Sequence, residues 1–467
     1  MGIRTLALLW LILVLPAIAF AEKPNIILVM ADDQGWGDTS YNGHPIVKTP
    51  NLDEMANDGL VFNRFYAAAP VCSPTRGSVL TGRHPIRIKI TNHGRYMRPQ
   101  ESTLAEELRD AGYVTGMFGK WHVGSAQKDS PVNPGNSGFD EWVIGLNFFD
   151  NNPYLSRNGI VEQIKGSGSA ITIDETIAFL NKHKDDKKPM FAVAWFPSPH
   201  DPHLEKPANP KLYDGVPGGA YFAEIAVLDH AFGRLRKELR RLGIEQNTIL
   251  WYCSDNGGLR EESSGGRGKK GSIYEGGLRI PGILEWPTRI SAKRIDFPAT
   301  TCDMLPTLLS AAGVKRRGTT TLDGIDLMPI IEGKTTRREK PIGFWFGLQG
   351  GQSTWSDRIL KSVMKAQTSG QPTPHPDRLR KDIDEFPQFP EDKFTGHAAW
   401  LDWPWKLHRI EGKEVTFELY NLATHPLEDK DLSINPKHRG RLKSMKRDLA
   451  KWQLSVTRSL NGKDYSK

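Results

Sequence analysis

The sequence predicts an α/β fold, a sandwich built on a largely parallel sheet and followed by a smaller C-terminal α+β unit. Short, nearly continuous apolar runs recur along the first two thirds of the chain, and each empties into a polar turn. Amphipathic helical patterns separate these runs, which is the alternation of strand, turn and helix that builds parallel sheets. At 467 residues the chain can bury a sizeable core and form more than one structural unit.

In chain order, residues 1–21 carry one basic residue, Arg4, an apolar run from Leu6 to Ile18, and a close at Ala19-Phe20-Ala21. This reads as a secretory signal with an Ala-x-Ala cut, and the apolar run is short for a bilayer span of about 20 residues. Residues 25–30 (NIILVM) form the first buried strand and deliver Asp32 and Asp33 to its C-terminal end, the edge where ligands gather in open α/β sheets. A short helix over 51–58 and a strand-like stretch over 61–69 lead to Cys72. There Pro74 suits the first position of a helix and Gly82 its end, so Cys72 sits at a helix N-terminus that favours negative charge.

Thr103 and Glu106 form a capping-box pattern, with Gly112 as the stop. A strand over 114–118 runs into Gly119-Lys120-Trp121-His122, and a strand over 190–196 empties into Ser198-Pro199-His200-Asp201-Pro202-His203. Helical spacing over 221–242 ends at Gly243, and a buried strand over 248–253 ends in Ser254-Asp255-Asn256-Gly257. The glycine-rich loop 257–271 carries Lys270 just ahead of Glu275-Gly276-Gly277. Beyond about residue 340 the alternation stops. A Pro-rich, charged stretch over 371–394 reads as surface loop, 400–407 and 416–420 as strands, and 439–454 as a basic helix. The division predicted is 1–21 signal, 22–340 catalytic domain, and 341–467 C-terminal subdomain.

Four oxygen donors, Asp32, Asp33, Asp255 and Asn256, follow buried strands and can meet at one sheet edge. Carboxylates gathered there would repel without a cation, and an all-oxygen set suits Ca²⁺ or Mg²⁺ better than zinc. Arg76, Lys120, His122, His200 and Lys270 form a basic set, most of it at the same kind of strand end. Singly, each is as well explained by capping, turn or surface duty. Together with a cation they would hold a tetrahedral oxyanion around a nucleophile at position 72.

The formal charge of +8 is modest for this length and fits an anionic substrate, and no basic-aromatic module for reading nucleic acid is present. Three cysteines make no disulfide framework; Cys253 and Cys302 read as small core residues, with a bridge between them left open. There is no Asn-x-Ser/Thr acceptor, which favours a bacterial envelope over a eukaryotic secretory route.

Cys72-Ser73-Pro74-Thr75-Arg76 followed by Leu80-Thr81-Gly82-Arg83 resembles the sulfatase signature. The remaining motifs, in the order Asp32-Asp33, Gly119-Lys120-Trp121-His122, His200, Asp255-Asn256 and Lys270 before Glu275-Gly276-Gly277, resemble a complete type I sulfatase of the alkaline phosphatase superfamily. One departure is His425, where that family usually shows Asp. The resemblance implies an alkaline-phosphatase-like sandwich with a large central mixed, mostly parallel sheet, and a C-terminal subdomain with a short antiparallel sheet.

It also implies that a formylglycine-generating maturation enzyme oxidises Cys72 to Cα-formylglycine. Ca²⁺ (or Mg²⁺) would be held by Asp32, Asp33, Asp255, Asn256 and the hydrated aldehyde. In the implied reaction this hydrate attacks sulfur with help from Asp255, His200 protonates the leaving alcohol, Lys120 and Lys270 hold the sulfate, Arg76 stabilises the nucleophile, and His122 drives release of sulfate. The expected substrate is a sulfated sugar or polysaccharide, hydrolysed in the periplasm or outside the cell, with aryl sulfates as artificial substrates. A phosphate or phosphonate ester hydrolase of the same superfamily, and a non-catalytic binder of sulfated glycans if Cys72 stays a thiol, are the alternatives. Trp36, Trp121, Phe148 and Phe149 are candidates for stacking on sugars, and His93, Arg95 and His203 for substrate contacts. The choice of sugar falls to loops such as 147–156 and 352–394.

Overall fold

The computed structural model describes residues 23–465, so the predicted signal at 1–21 lies outside the described residues. From the N-terminus, β1 (Asn25–Ala31), α1 (Pro50–Asp58), β2 (Leu60–Phe62) and β3 (Phe65–Tyr66) precede α2 (Cys72–Thr81), α3 (Leu104–Asp110) and β4 (Val114–Lys120). Then come β5 (Glu141–Gly145), β6 (Tyr154–Arg157), β7 (Ile160–Gln163), α4 (Gly168–His183), β8 (Met190–Trp195), α5 (Gly219–Arg241) and β9 (Thr248–Ser254). They are followed by α6 (Glu275–Leu278), β10 (Arg279–Ile280), β11 (Gly282–Glu285), β12 (Lys293–Ile295), β13 (Ala299–Thr300), α7 (Met304–Ala311) and α8 (Met328–Ile331). The last part holds β14 (Ile342–Phe346), α9 (Ser356–Thr368), α10 (Asp377–Arg380), β15 (His397–Asp402), β16 (Trp405–Ile410), β17 (Thr416–Asn421) and α11 (Arg439–Leu460).

Ten strands make the central sheet in the order β12-β2-β11-β9-β1-β8-β4-β5-β6-β7. Its middle, from β9 to β5, is parallel, and antiparallel strands flank it on both sides. The period-2 alternation of β1 sorts its side chains to two cores. Ile26, Leu28 and Met30 pack with helices α2, α3, α7 and α9, while Ile27, Val29 and Ala31 pack with α1, α4 and α5. A continuous apolar run is what a strand covered on both faces requires. β3, β10 and β13 form a small second sheet.

β14 to β17 make a four-stranded antiparallel sheet. One face (Trp345, Ala398, Leu407, Leu419) packs on Met445, Leu449 and Val456 of α11; the other (Phe344, Ala399, Leu401, Tyr420) covers Tyr66, Ile273 and Leu278 of the larger unit.

Local differences from the sequence reading have simple causes. α2 begins at Cys72, with Val71 as its cap, so Pro74 is its third residue. The first four helical amides lack intrahelical partners anyway, so proline costs nothing there. Residues 400–407 are two strands of a hairpin turning at Trp403 and Pro404, because proline cannot continue the ladder. Within 352–394, residues 356–368 are helical, with Ile359, Leu360 and Val363 buried on the central sheet side.

Candidate active site

Each catalytic-looking turn arrives where the sheet delivers it. The backbone N–H of Asp32 donates to Ser198 O (2.9 Å) and that of Asp255 to Ala31 O (3.2 Å), so the ends of β1, β8 and β9 are knitted together. β4 ends in Gly119 and Lys120; a Cβ at Gly119, whose φ is +100°, would stand 1.9 Å from Trp195 O. That close approach of β4 to β8 brings Lys120 beside Asp32. Helix α2 is buried along its whole length and ends at Gly82 in the left-handed region (φ 67°).

These turns converge on one polar cluster. Lys120 Nζ donates to Asp32 Oδ2 at 2.5 Å, and Arg76 donates through Nε and Nη2 to Asp255 Oδ2 at 3.0 and 2.7 Å. Arg76 Nη1 donates to Lys120 O (3.0 Å). Lys270 Nζ donates to Asp33 Oδ2 at 2.6 Å, Asn256 Nδ2 to Asp33 Oδ1 at 2.8 Å, and the Asp33 N–H to Asp255 Oδ1 at 3.1 Å. His200 Nε2 stands 3.7 Å from Asp33 Oδ2, while its Nδ1 donates to Asp201 O at 2.7 Å. A carbonyl only accepts, so Nδ1 carries the hydrogen and Nε2 faces the carboxylate. All ten expected site residues lie here or at the adjoining cavity, which has a volume of about 370 Å³ and is lined by Cys72, His122, His200 and Lys270. Asp33 (φ 71°) and His122 (φ 57°) hold left-handed backbone that side chains rarely adopt, a strain that clusters at working sites.

Burial would raise Asp33, but the ammonium of Lys270, with His200 and Lys120, outweighs it and holds the carboxyl well below the ordinary range. Burial and then the neighbouring Asp32 push Asp255 up to about 7, against Arg76. Burial depresses His200, and depresses His122 far more with Lys120 close by. It raises the Cys72 thiol despite Lys120, so an unmodified Cys72 is held neutral.

Ligand atoms of Asp32, Cys72 and Asp255 lie within 4.8 Å of one another. Asp32 Oδ1 and Asn256 Oδ1 are buried without a hydrogen-bond partner. Two orphaned oxygens amid three carboxylates are the donor set a hard divalent cation needs, so the residues present fit one.

The secondary candidates divide. His93 and Phe148 line the cavity, Phe148 stacking on His200 at 4.4 Å, whereas Trp121 and Phe149 are core residues and Trp36 lies under the Arg279 guanidinium. Trp121 packs against Trp195 and Phe139 in one core and Phe149 joins Ile171 and Phe196 in the other, so apolar burial claims both rings. Arg95 pairs with Asp382, and His203 Nε2 faces Pro199 O. His425 sits on a surface turn beside Asp429. Cys72, Cys253 and Cys302 are all buried and free. Sequence reasoning missed Thr354 and Trp355 at the cavity rim; the amphipathic spacing of Ile359, Leu360 and Val363 behind them was the available signal.

The family model described as Sulfatase matches residues 24–314. N-acetylgalactosamine-6-sulfatase of Canis lupus familiaris is 30% identical over 373 residues, covering 70% of this chain and 69% of its own. Steryl-sulfatase of Rattus norvegicus is 27% identical over 445 residues, covering 73% and 76%. Among solved structures, Ps i-CgsB in complex with k-i-k-neocarrahexaose aligns with a TM-score of 0.76 at 23% identity, covering 94% of this chain and 98% of that one, a likeness of fold. The described residues include no helix long and apolar enough to cross a membrane. With a signature helix at the floor of the cavity and a family match over most of the sheet, this chain belongs to the sulfatase family and is a sulfuric ester hydrolase.

Proposed function

We propose that this chain hydrolyses sulfate esters of sugars at the Cys72 cavity. The observation that carries the reading is the floor of that cavity, where Cys72 heads a buried helix inside a ring of three cations (Arg76, Lys120, Lys270) and four oxygen-bearing side chains. The sugar is supported by the name of the dog relative and by the structural neighbours solved with k-i-k-neocarrahexaose and with D-glucosamine-2-N,6-O-disulfate.

In this reading a formylglycine-generating enzyme converts Cys72 to Cα-formylglycine, and Asp32, Asp33, Asp255, Asn256 and the group at 72 hold Ca²⁺, with Mg²⁺ as the alternative. When present, the hydrated aldehyde supplies a hydroxyl nucleophile, and the cation supplies charge that favours its ionised form. Lys120 and Lys270 hold sulfate oxygens and stabilise charge developing on them. Arg76 fixes Asp255, whose carboxyl stands ready to take a proton near neutrality. His200 acts as an acid in its imidazolium form: Nδ1 keeps its hydrogen on Asp201 O, the Asp33 carboxylate 3.7 Å away favours a second proton on Nε2, and that proton passes to the departing alcohol oxygen. His122, with neither ring nitrogen partnered, accepts the proton that accompanies release of sulfate. That proton belongs to the second hydroxyl such a hydrate carries; an ordinary serine has no second hydroxyl to give one up, so the hydrate allows attack and release to be separate steps.

Peptide mass spectrometry across Cys72, with a 4-nitrophenyl sulfate assay on the same sample, tests this. Aldehyde with sulfate release is expected, and Cys72→Ala should abolish turnover while the protein stays folded. An intact thiol, in a host shown to mature a control sulfatase, would favour the glycan-binding alternative. Faster turnover of 4-nitrophenyl phosphate than of the sulfate would favour the phosphate ester alternative. We further read 22–340 as the catalytic domain, 341–467 as the C-terminal subdomain, and the mature protein as exported to the periplasm or beyond after loss of 1–21; N-terminal sequencing of exported protein tests that cut.

A further inference from the structure

Part of the cavity wall comes from two segments far apart in sequence, one after β5 and one before α9. Asn147 Nδ2 donates to Thr354 O at 2.9 Å, and the Leu146 N–H donates to Ser356 Oγ at 3.0 Å, so the segments are stitched together. Those bonds leave two atoms over. Asn147 Oδ1 and Thr354 Oγ1 have no partner, although the residues are only 8% and 5% exposed and both line the cavity. A buried polar atom is costly unless something meets it, and what would meet this pair is a ligand bearing hydroxyls.

Trp355 lies beside them, 59% exposed, edge-on to Phe148 with ring centroids 6.4 Å apart. Phe148 in turn lies flat on the His200 ring, at 4.4 Å and 8°. An aromatic surface therefore runs from the proton donor to the rim. An alcohol whose oxygen stands at His200 has its carbon skeleton led along that surface, past Asn147 and Thr354. A pyranose matches both features, having an apolar C–H face for the aromatic rings and hydroxyls around its edge.

We propose that Asn147, Thr354 and Trp355 form the subsite that reads the sugar ring carrying the sulfate. Asn147 Oδ1 accepts from one ring hydroxyl, Thr354 Oγ1 exchanges a hydrogen bond with another, and Trp355 covers the C–H face. The inference rests on sulfate ester hydrolysis at the Cys72 cavity and adds to it the residues that prefer a polyol to an aryl or sterol leaving group, neither of which can satisfy both oxygens.

The test uses the matured full-length enzyme, Thr354→Val and Trp355→Ala, assayed on N-acetylgalactosamine 6-sulfate, D-glucosamine-2-N,6-O-disulfate, galactose 4-sulfate and 4-nitrophenyl sulfate. Thr354→Val keeps the shape and removes the hydroxyl. It should lower the ratio of kcat/KM on the best sugar sulfate to that on 4-nitrophenyl sulfate by about tenfold, mainly through KM. Trp355→Ala should raise KM for the same sugar by about tenfold or more. An unchanged ratio in Thr354→Val, an unchanged sugar KM in Trp355→Ala, or wild-type turnover of the aryl sulfate with none of the sugars would overturn the subsite while leaving the hydrolase intact. A wild type carrying the aldehyde but inert on 4-nitrophenyl sulfate and on every sugar would count against sulfate ester hydrolysis itself, and the subsite with it.

Discussion

Cys72 shows how one residue is legible as chemistry before its surroundings are known. Its neighbours in sequence mark a helix start, but its neutrality comes from burial, which only the fold imposes. A second acidic pair was not legible at all. Glu205, on the segment that follows His200, donates its N–H to Glu224 Oε1 of α5 and accepts through Oε1 from the Ser169 N–H at the start of α4. Both side chains are fully buried, and the second oxygen of each is unpartnered. Burial and then the opposing Glu205 push Glu224 up to about 9, and burial pushes Glu205 up to about 7. A carboxyl raised this way stabilises the fold fully below its unfolded value of 4.5 and loses that contribution as pH rises through the folded one. The melting temperature should therefore fall between about pH 5 and 9. Glu224→Gln, which keeps the shape and cannot ionise, should flatten that slope in a thermal melt; an unaltered slope would remove the pair from the pH dependence.

Elements were legible where a strand is apolar throughout or a helix is capped by its own sequence, as with β1 and the Thr103–Glu106 capping box of α3. What escaped was an element whose apolar face is short. α9 shows three buried aliphatic residues among charged ones in a stretch otherwise rich in proline and charge. The delivery of Lys120 depends on a single backbone position in β4. Gly119→Ala would drive a Cβ into Trp195 O and place a side chain at φ +100°. This should cost at least about 2 kcal/mol in urea denaturation, with a fall in kcat on 4-nitrophenyl sulfate as Lys120 shifts. Normal stability and rate would mean that β4 can separate from β8 without moving the site.

At the scale of the whole molecule, the four-stranded sheet is joined to the catalytic edge by a buried ionic knot. Lys406 Nζ stands 2.9 Å from Glu275 Oε1 and 3.0 Å from Glu428 Oε1, and all three side chains are fully buried. Tyr66 OH donates to Glu275 Oε2 at 2.9 Å, and the Glu275 N–H donates to Glu428 Oε2 at 2.7 Å. His408 Nε2 lies 2.7 Å from Glu428 Oε1, and its Nδ1 lies 2.9 Å from His397 Nε2. Burial and then Lys406 keep His408 far below its ordinary pKa, so it is neutral and donates to Glu428 through Nε2. Glu275 follows Lys270 by five positions, so the knot also anchors the loop that reaches Asp33. Lys406→Met leaves two buried carboxylates unpaired and should cost about 3–5 kcal/mol. The check is a urea denaturation midpoint, with the KM for 4-nitrophenyl sulfate expected to rise as the Lys270 loop loosens. A variant as stable as wild type would show that the knot contributes no net stability.

The sequence by itself determined the strand-and-turn alternation, the signature helix and the identity of the residues that bear charge near Cys72, because periodicity and turn chemistry are local properties that short stretches carry whole. Only the tertiary structure decided which of those charges pair, which aromatic residues face the cavity, and that Asn147, Thr354 and Trp355 share its rim. Those are contacts between segments far apart in sequence, 88 residues for Lys120 with Asp32, 179 for Arg76 with Asp255 and 207 for Asn147 with Thr354, set by how the strands and helices pack around one sheet edge, and no local pattern encodes them.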